Sequence, residues 1–240
     1  MSLEKVRCLK GLFPTDEERD NLLARQADKG EFGKAEKFMM ACLSVDDINA
    51  RADCFLFKLK FSRTITQLKA RVELVTGVAQ AILDTPALCA LLQQMLEDKK
   101  LKVMWEDDKY KQRVDAGLAS GEIPAASFAK LQQLETLPDI ACLVRSELQE
   151  VLDTLINGCR ACQTLLTKTK SKEPTSTTAM SATAMADFEK FIKSSVGEIN
   201  DATEEFRQAK SWETKLVSEF GVVLEDFSPQ EILAAVRQLV

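Results

Sequence analysis

Cys159 and Cys162, set in the order Cys-Arg-Ala-Cys, are the pair in this chain with the most obvious reactive chemistry. Thiols at that spacing suit redox exchange or one half of a zinc site. A structural zinc needs four ligands, and here histidine is absent and no second cysteine pair repeats the spacing. Both thiols also fall on the apolar row of a helical pattern, so they are expected to be core cysteines that pack as small hydrophobes. The missing histidine reaches further. It removes the commonest general base and metal ligand, and with them any Ser-His or Cys-His nucleophile. Carboxylate or lysine chemistry stays open, but nothing positions it, and no Gly-rich phosphate loop is present. The chain is therefore expected to be no enzyme, with no catalytic residue, cofactor or metal site.

The remaining candidates are charged. Lys58, Lys60, Arg63 and Lys69 form a basic run that could meet an acidic partner surface. An ordinary solvated helix face is the other reading, and charge alone leaves both open. Asp46-Asp47 and Glu106-Asp107-Asp108 read as a helix cap and a solvated face rather than a cation site. Trp212 reads as a partly buried helix residue. With a formal net charge of −5, the chain lacks the basic footprint of a nucleic-acid binder. Its seven cysteines are odd in number and widely spread, and no signal peptide is read, so a reducing, cytoplasmic setting is expected. No apolar run reaches the roughly 18 residues of a membrane span.

The elements that carry these residues read as helices. Hydrophobic residues make up 45% and charged residues 29%, a globular balance, while aromatics are only 6% and glycines nine. The composition favours Leu, Ala, Glu, Lys and Gln, which are helix formers. A short helix over 2–10 should end near Gly11. Thr15 and Glu18 make a capping box that opens a second helix, from Asp16 to about Ala27. Gly30 and Gly33 break the chain, and a third helix takes Lys34 to Leu43, with Phe38, Met39 and Cys42 inward. Asp46 or Asp47 caps a fourth, carrying the run Cys54 to Phe61. That run alternates like a strand, but its shortness and its helical flanks favour helix. Ser62 is expected to cap a further helix, from Arg63 to Asp84, and Thr85-Pro86 starts another that reaches at least Leu96. Residues 97–123 read as a solvated helix followed by a loop, and Pro124 begins a short helix to about Thr136.

Two long helices follow. The first spans about Pro138 to Lys170, with an apolar row at Ile140, Val144, Leu148, Val151, Leu155, Cys159, Cys162 and Leu166. The steps make an eleven-residue pattern, so the helix should be nearly straight. Leu143, Leu152, Ile156 and Leu165 widen the stripe, which therefore calls for more than one partner helix. A Ser/Thr-rich linker covers 171–184. The second long helix, about Met185 to Phe220, has a seam of Phe188, Ile192, Ser195, Ile199, Ala202, Phe206, Ala209, Glu213, Leu216 and Phe220, a coiled-coil-like spacing. Gly221 is a natural stop, and Ser228-Pro229-Gln230-Glu231 opens a last helix. The expected fold is all-α, an elongated helical bundle with a compact head and two long antiparallel helices. The expected divisions are a head at 1–96, a connecting segment at 97–137, and the long-helix pair with the terminal helix at 138–240.

Several of these segments stand in a familiar order. Leu12-Phe13-Pro14-Thr15-Asp16-Glu17-Glu18, Ala35-Glu36-Lys37-Phe38 and Phe55-Leu56-Phe57-Lys58-Leu59-Lys60-Phe61 resemble successive pieces of a formin homology 2 domain. The stretches Val72–Ala81 and Leu88–Leu92 fit the two helices that follow in that family. Phe227-Ser228-Pro229-Gln230-Glu231-Ile232 resembles its last helix, and Phe128–Leu134 resembles a later part more faintly. The resemblance implies an all-helical actin-binding cytoskeletal protein, located in the cytoplasm on the cytoskeleton. The wide apolar stripe of the long helices can be covered within the chain or by self-association, and the sequence leaves both open. Where the family carries Gly-Asn-Tyr-Met-Asn, this sequence has Met95-Leu96-Glu97-Asp98-Lys99-Lys100, and no family lasso, knob isoleucine or post lysine can be matched. The expectation is thus a divergent, shortened domain that binds actin without full dimeric processive nucleation. The alternative is a helical scaffold, a pseudo-formin that binds another protein instead. What carries over onto a surface is the placement of Lys58, Lys60 and Arg63 near a partner.

Overall fold

A computed structural model describes residues 2–25, 32–100, 107–136, 145–171, 180–220 and 229–240. Among them are ten α-helices and no strand. In order they are α1 (Leu3–Lys10), α2 (Asp16–Ala24), α3 (Lys34–Leu43), α4 (Ile48–Leu83), α5 (Pro86–Lys100), α6 (Asp107–Ser120), α7 (Ala125–Gln132), α8 (Arg145–Ser171), α9 (Ala182–Phe220) and α10 (Pro229–Leu239), with a 3-10 turn at Gln133–Thr136 after α7. The chain forms two compact units that interleave in sequence. One is Met1–Ile65 with Asp153–Ile199, the other Thr66–Leu152 with Asn200–Val240.

In the first unit the short helices are set by their caps. Ser2 caps α1, which stops at Gly11. The Thr15 hydroxyl accepts from the Glu18 N–H, while the Glu18 carboxylate accepts from the Thr15 N–H at 2.8 Å, completing the box. The Thr15 N–H and hydroxyl together hold the exposed Glu18 carboxyl below the usual carboxylate range. Gly33 opens α3, its N–H donating to Glu36 at 2.7 Å. Arg25, the C-cap residue of α2, pairs with Glu36 at 3.1 Å, on the edge of α3 that faces α2. Phe38 lies about 200° round the helix from Glu36 and is left 37% exposed. The inward Phe38 expected from the sequence is corrected on that account, while Cys42 is buried and Met39 partly so.

α4 corrects a second expectation. No break occurs at Ser62, and one helix of 36 residues runs from Ile48 to Leu83. Its buried positions explain why. Cys54, Phe61, Ile65, Leu68, Val72, Ala79 and Ile82 keep helical phase straight through Ser62, so burial of one stripe outweighs a local capping signal. The strand-like alternation also resolves, because Cys54 and Phe61 point inward while Phe55 and Leu59 point out.

The second unit packs the C-terminal part of α4 with α5, α6, α7, α10 and the end of α9. Its core centres on Ile82, Leu92, Leu96, Leu134, Phe220, Ile232 and Val236, all fully buried. Trp212 is partly buried against it. Thr85 directly precedes Pro86, as the proline signal requires, and its hydroxyl is buried and makes no hydrogen bond. Residues 107–120 are helix rather than loop. Tyr110, Val114 and Gly117 recur at steps of four and three and are all buried, so this helix is amphipathic rather than solvated. A glycine hides the third position of that stripe from a sequence reading. A Cβ on Gly117 would lie 2.7 Å from Ile123 Cδ1, so the glycine lets the following turn, built on Gly121 at φ +80°, fold back closely.

The long helices bury most of their apolar rows, though Val151 and Leu166 of the first α8 row are only partly buried. In α8, Leu148, Leu152, Leu155, Cys159, Cys162 and Leu165 are buried, and the helix is unbroken from 145 to 171; Ile140, Leu143 and Val144 lie outside the described residues. In α9 every expected seam position but Glu213 is buried. Of the linker expected at 171–184, Ser171 ends α8 and 182–184 open α9, so both helices reach further than expected and 180–181 are its described non-helical residues; Gly30, Gly221 and Ser228 lie outside the described residues.

Candidate partner-binding face

Within the first unit α4 lies antiparallel to α8. Lys168 reaches Asp47 at 2.5 Å, and ten residues further along α4 and ten back along α8 the Phe57 ring rests on Gly158. Phe57 also meets Phe61 with ring centroids at 5.6 Å and Phe191 of α9 at 6.1 Å, while Phe61 and Phe191 meet edge to face at 5.7 Å. Such aromatic pairs are worth about 0.5–1.5 kcal/mol each beyond the area they bury. Together they fix the rotation of α4, and Lys10 of α1 pairs with Asp53 beside them.

Fixing that rotation decides what α4 presents outward. Taking Phe55 as origin, Leu59 lies about 40° and Arg63 about 80° round the helix, with Lys60 at about 140°. Phe55 and Leu59 are 38% and 39% exposed, and Lys60 and Arg63 are exposed beside them. An apolar pair bordered by two cations is thus held on a rigid helix opposite the buried row. Exposed apolar residues grouped with charge mark an interaction surface more often than scattered ones do.

The four basic residues singled out in the sequence are not gathered in one place. Lys58 is half-buried, its ammonium 5.5 Å from the Phe191 ring centroid, a contact worth about 0.5–1 kcal/mol. Lys69 belongs to the second unit and pairs with Glu205 at 3.5 Å. Lys60 and Arg63 are the two that accompany the exposed apolar pair. Phe55 and Leu59 were legible as motif residues but not as surface, because their exposure depends on which face of α4 the other helices cover. Cys159 and Cys162 are both buried, and no cluster of three or more metal-ligating side chains occurs among the described residues. No single described helix is long and apolar enough to cross a membrane.

The segments that build this face are those with relatives. Residues 1–97 match the family described as Formin Homology 2 Domain. Formin-like protein 15a of Arabidopsis thaliana is 29% identical over 102 residues, covering 42% of this chain and 24% of that protein. Formin-like protein 6 of Oryza sativa subsp. japonica is 27% identical over 96 residues, 40% of this chain and 7% of the relative. Formin-J of Dictyostelium discoideum is 26% identical over 96 residues, 40% and 4%. The match therefore spans a quarter or less of the length of these relatives. The N-terminal 97 residues are thus similar to part of a formin homology 2 domain. The resemblance read at Phe227–Ile232 lies beyond the matched segment.

Proposed function

We propose that this chain is a non-enzymatic, formin-like actin-binding protein of the cytoplasmic cytoskeleton, one that does not support full dimeric processive nucleation. Supporting this reading is the coincidence of the formin homology match over 1–97 with the exposed Phe55, Leu59, Lys60 and Arg63 face that those residues build. The apolar pair supplies contact area, and the two cations favour an acidic partner surface through steering and register. The absence of nucleation is argued from Met95–Lys100, which stand where the family's Gly-Asn-Tyr-Met-Asn would be.

Filament co-sedimentation and a barbed-end elongation assay test it. The chain is expected to pellet with filaments and to alter elongation. Reversing both charges, Lys60→Glu with Arg63→Glu, is expected to weaken binding by about tenfold or more, because like charges opposed across an interface are costly. No pelleting and no change in elongation rejects the proposal. The replaced motif at 95–100 also favours a second reading, a helical scaffold that joins another assembly through its long helices. A pull-down that recovers a helical partner and no actin would select it.

A further inference from the structure

We propose that Cys54 of α4 and Cys162 of α8 form a thiol–disulfide modification site, closed by an oxidant of the hydroperoxide class, which fastens the two helices together. This goes beyond the actin reading and does not depend on it.

The antiparallel register brings the two residues face to face. Lys168 and Asp47 pair on one side of them, and Phe57 and Gly158 touch on the other. Between these contacts the two thiols are hydrogen-bonded to each other. Cys54 is 4% exposed and Cys162 is fully buried, so the pair sits inside the unit rather than at a surface where any neighbouring thiol could intervene. Cys159, one turn away on α8, is buried too, and burial pushes its thiol up. The two partners have unequal roles. The hydrogen bond between them lowers the Cys54 thiol and raises that of Cys162. Cys54 retains 4% exposure while Cys162 has none, so Cys54 meets an incoming oxidant first as the attacking sulfur and Cys162 resolves.

The chemistry balances with hydrogen peroxide as co-reactant. The Cys54 thiolate attacks one peroxide oxygen, the O–O bond breaks, hydroxide leaves, and Cys54 becomes a sulfenic acid. The Cys162 sulfur, losing its proton to that hydroxide as water, then attacks the Cys54 sulfur. The S–S bond forms as the S–O bond breaks, and the departing hydroxide takes up the proton released when Cys54 ionised. Two thiols are oxidised to one disulfide while one peroxide is reduced to two waters. Local opening of the unit admits so small an oxidant, and a dithiol reductant reverses the bond by exchange.

The test uses the whole chain, treated with hydrogen peroxide under native conditions, blocked, and digested with trypsin without reduction. Cleavage after Arg51, Lys58, Arg145, Arg160 and Lys168 places Cys54, Cys159 and Cys162 on three separate peptides. The expected product is peptide 52–58 joined to peptide 161–168, two hydrogens lighter than the sum of its parts, released by dithiothreitol. Its yield should not depend on protein concentration. Cys159→Ser should leave it intact, and Cys162→Ser should instead leave Cys54 trappable as sulfenic acid by dimedone. The proposal is overturned if Cys54 and Cys162 stay reduced while the exposed Cys8 oxidises, if Cys54 joins peptide 146–160 instead, or if the bond forms only in denaturant.

Discussion

Adding one methyl group at Gly158 tests how the first unit is assembled. Gly158 lies in the middle of α8, where a glycine ordinarily costs about 1 kcal/mol relative to alanine. By propensity alone Gly158→Ala should stabilise. A Cβ there, however, would lie 2.4 Å from both Cδ2 and Cε2 of Phe57 and 3.1 Å from its Cζ. Ordinary contact is about 3.5 Å or more, so ring or helix must yield by about 1 Å. The ring is not at liberty to yield, since Phe61 and Phe191 hold it at 5.6 and 6.1 Å. Overpacking of this kind costs about 1–3 kcal/mol, and a displacement this large belongs at the upper end. Subtracting the gain in propensity leaves a net loss of about 2 kcal/mol, or about 4–8 °C in Tm for a chain this long. Gly197 is the matched control, in the interior of α9 and in the same unit, with nothing within 4 Å of its would-be Cβ. Gly197→Ala should gain about 0.5–1 kcal/mol. Urea titration followed by circular dichroism would compare the two. Phe57→Leu introduced beside Gly158→Ala should recover part of the loss through a favourable coupling. Equal stability of the two alanine variants, or no coupling with Phe57, refutes the packing of α4 on α8.

Two further outcomes follow from buried polar groups. Ser195 occupies an apolar seam position of α9 with its hydroxyl fully buried and unpaired, so Ser195→Ala should be neutral or stabilising by up to about 1–2 kcal/mol, read by the same titration. Tyr110, the single tyrosine, is pushed up to about 12, first by burial and then by its hydrogen bond to Asp98. Because its folded pKa is raised, its contribution to stability is complete below about 10 and is lost as pH rises from about 10 to about 12. A phenolate absorbance titration should show one late step, and a midpoint near 10 would contradict the burial of α6.

The sequence by itself determined that this chain is helical, and where most helices begin. Thr15 with Glu18 and Gly33 with Glu36 are local signals, readable because a cap satisfies orphan backbone groups within a few residues of itself, and Pro86 is another because its fixed φ and missing N–H suit the first turn. The apolar rows of α8 and α9 were equally legible, since a buried stripe must recur with the helical period whatever covers it. The motifs from Leu12 to Phe61 pointed to the family for the same reason, being contiguous in sequence. Tertiary structure decided the rest. Ser62 carries a capping signal that loses to a stripe continuing past it, and that contest is settled only by the helices waiting to cover Phe61 and Ile65. Phe38 is exposed because α3 meets α2 by its other edge, where Glu36 pairs with Arg25. Residues 97–123 concealed α6 because one of its inward positions is a glycine, whose use is visible only against Ile123. The candidate face shows this most plainly. Lys58, Lys60, Arg63 and Lys69 are alike in sequence, but Phe191 engages the first and Glu205 the last. Exposure is a property of what lies opposite, and the residues opposite α4 are more than a hundred positions away along the chain.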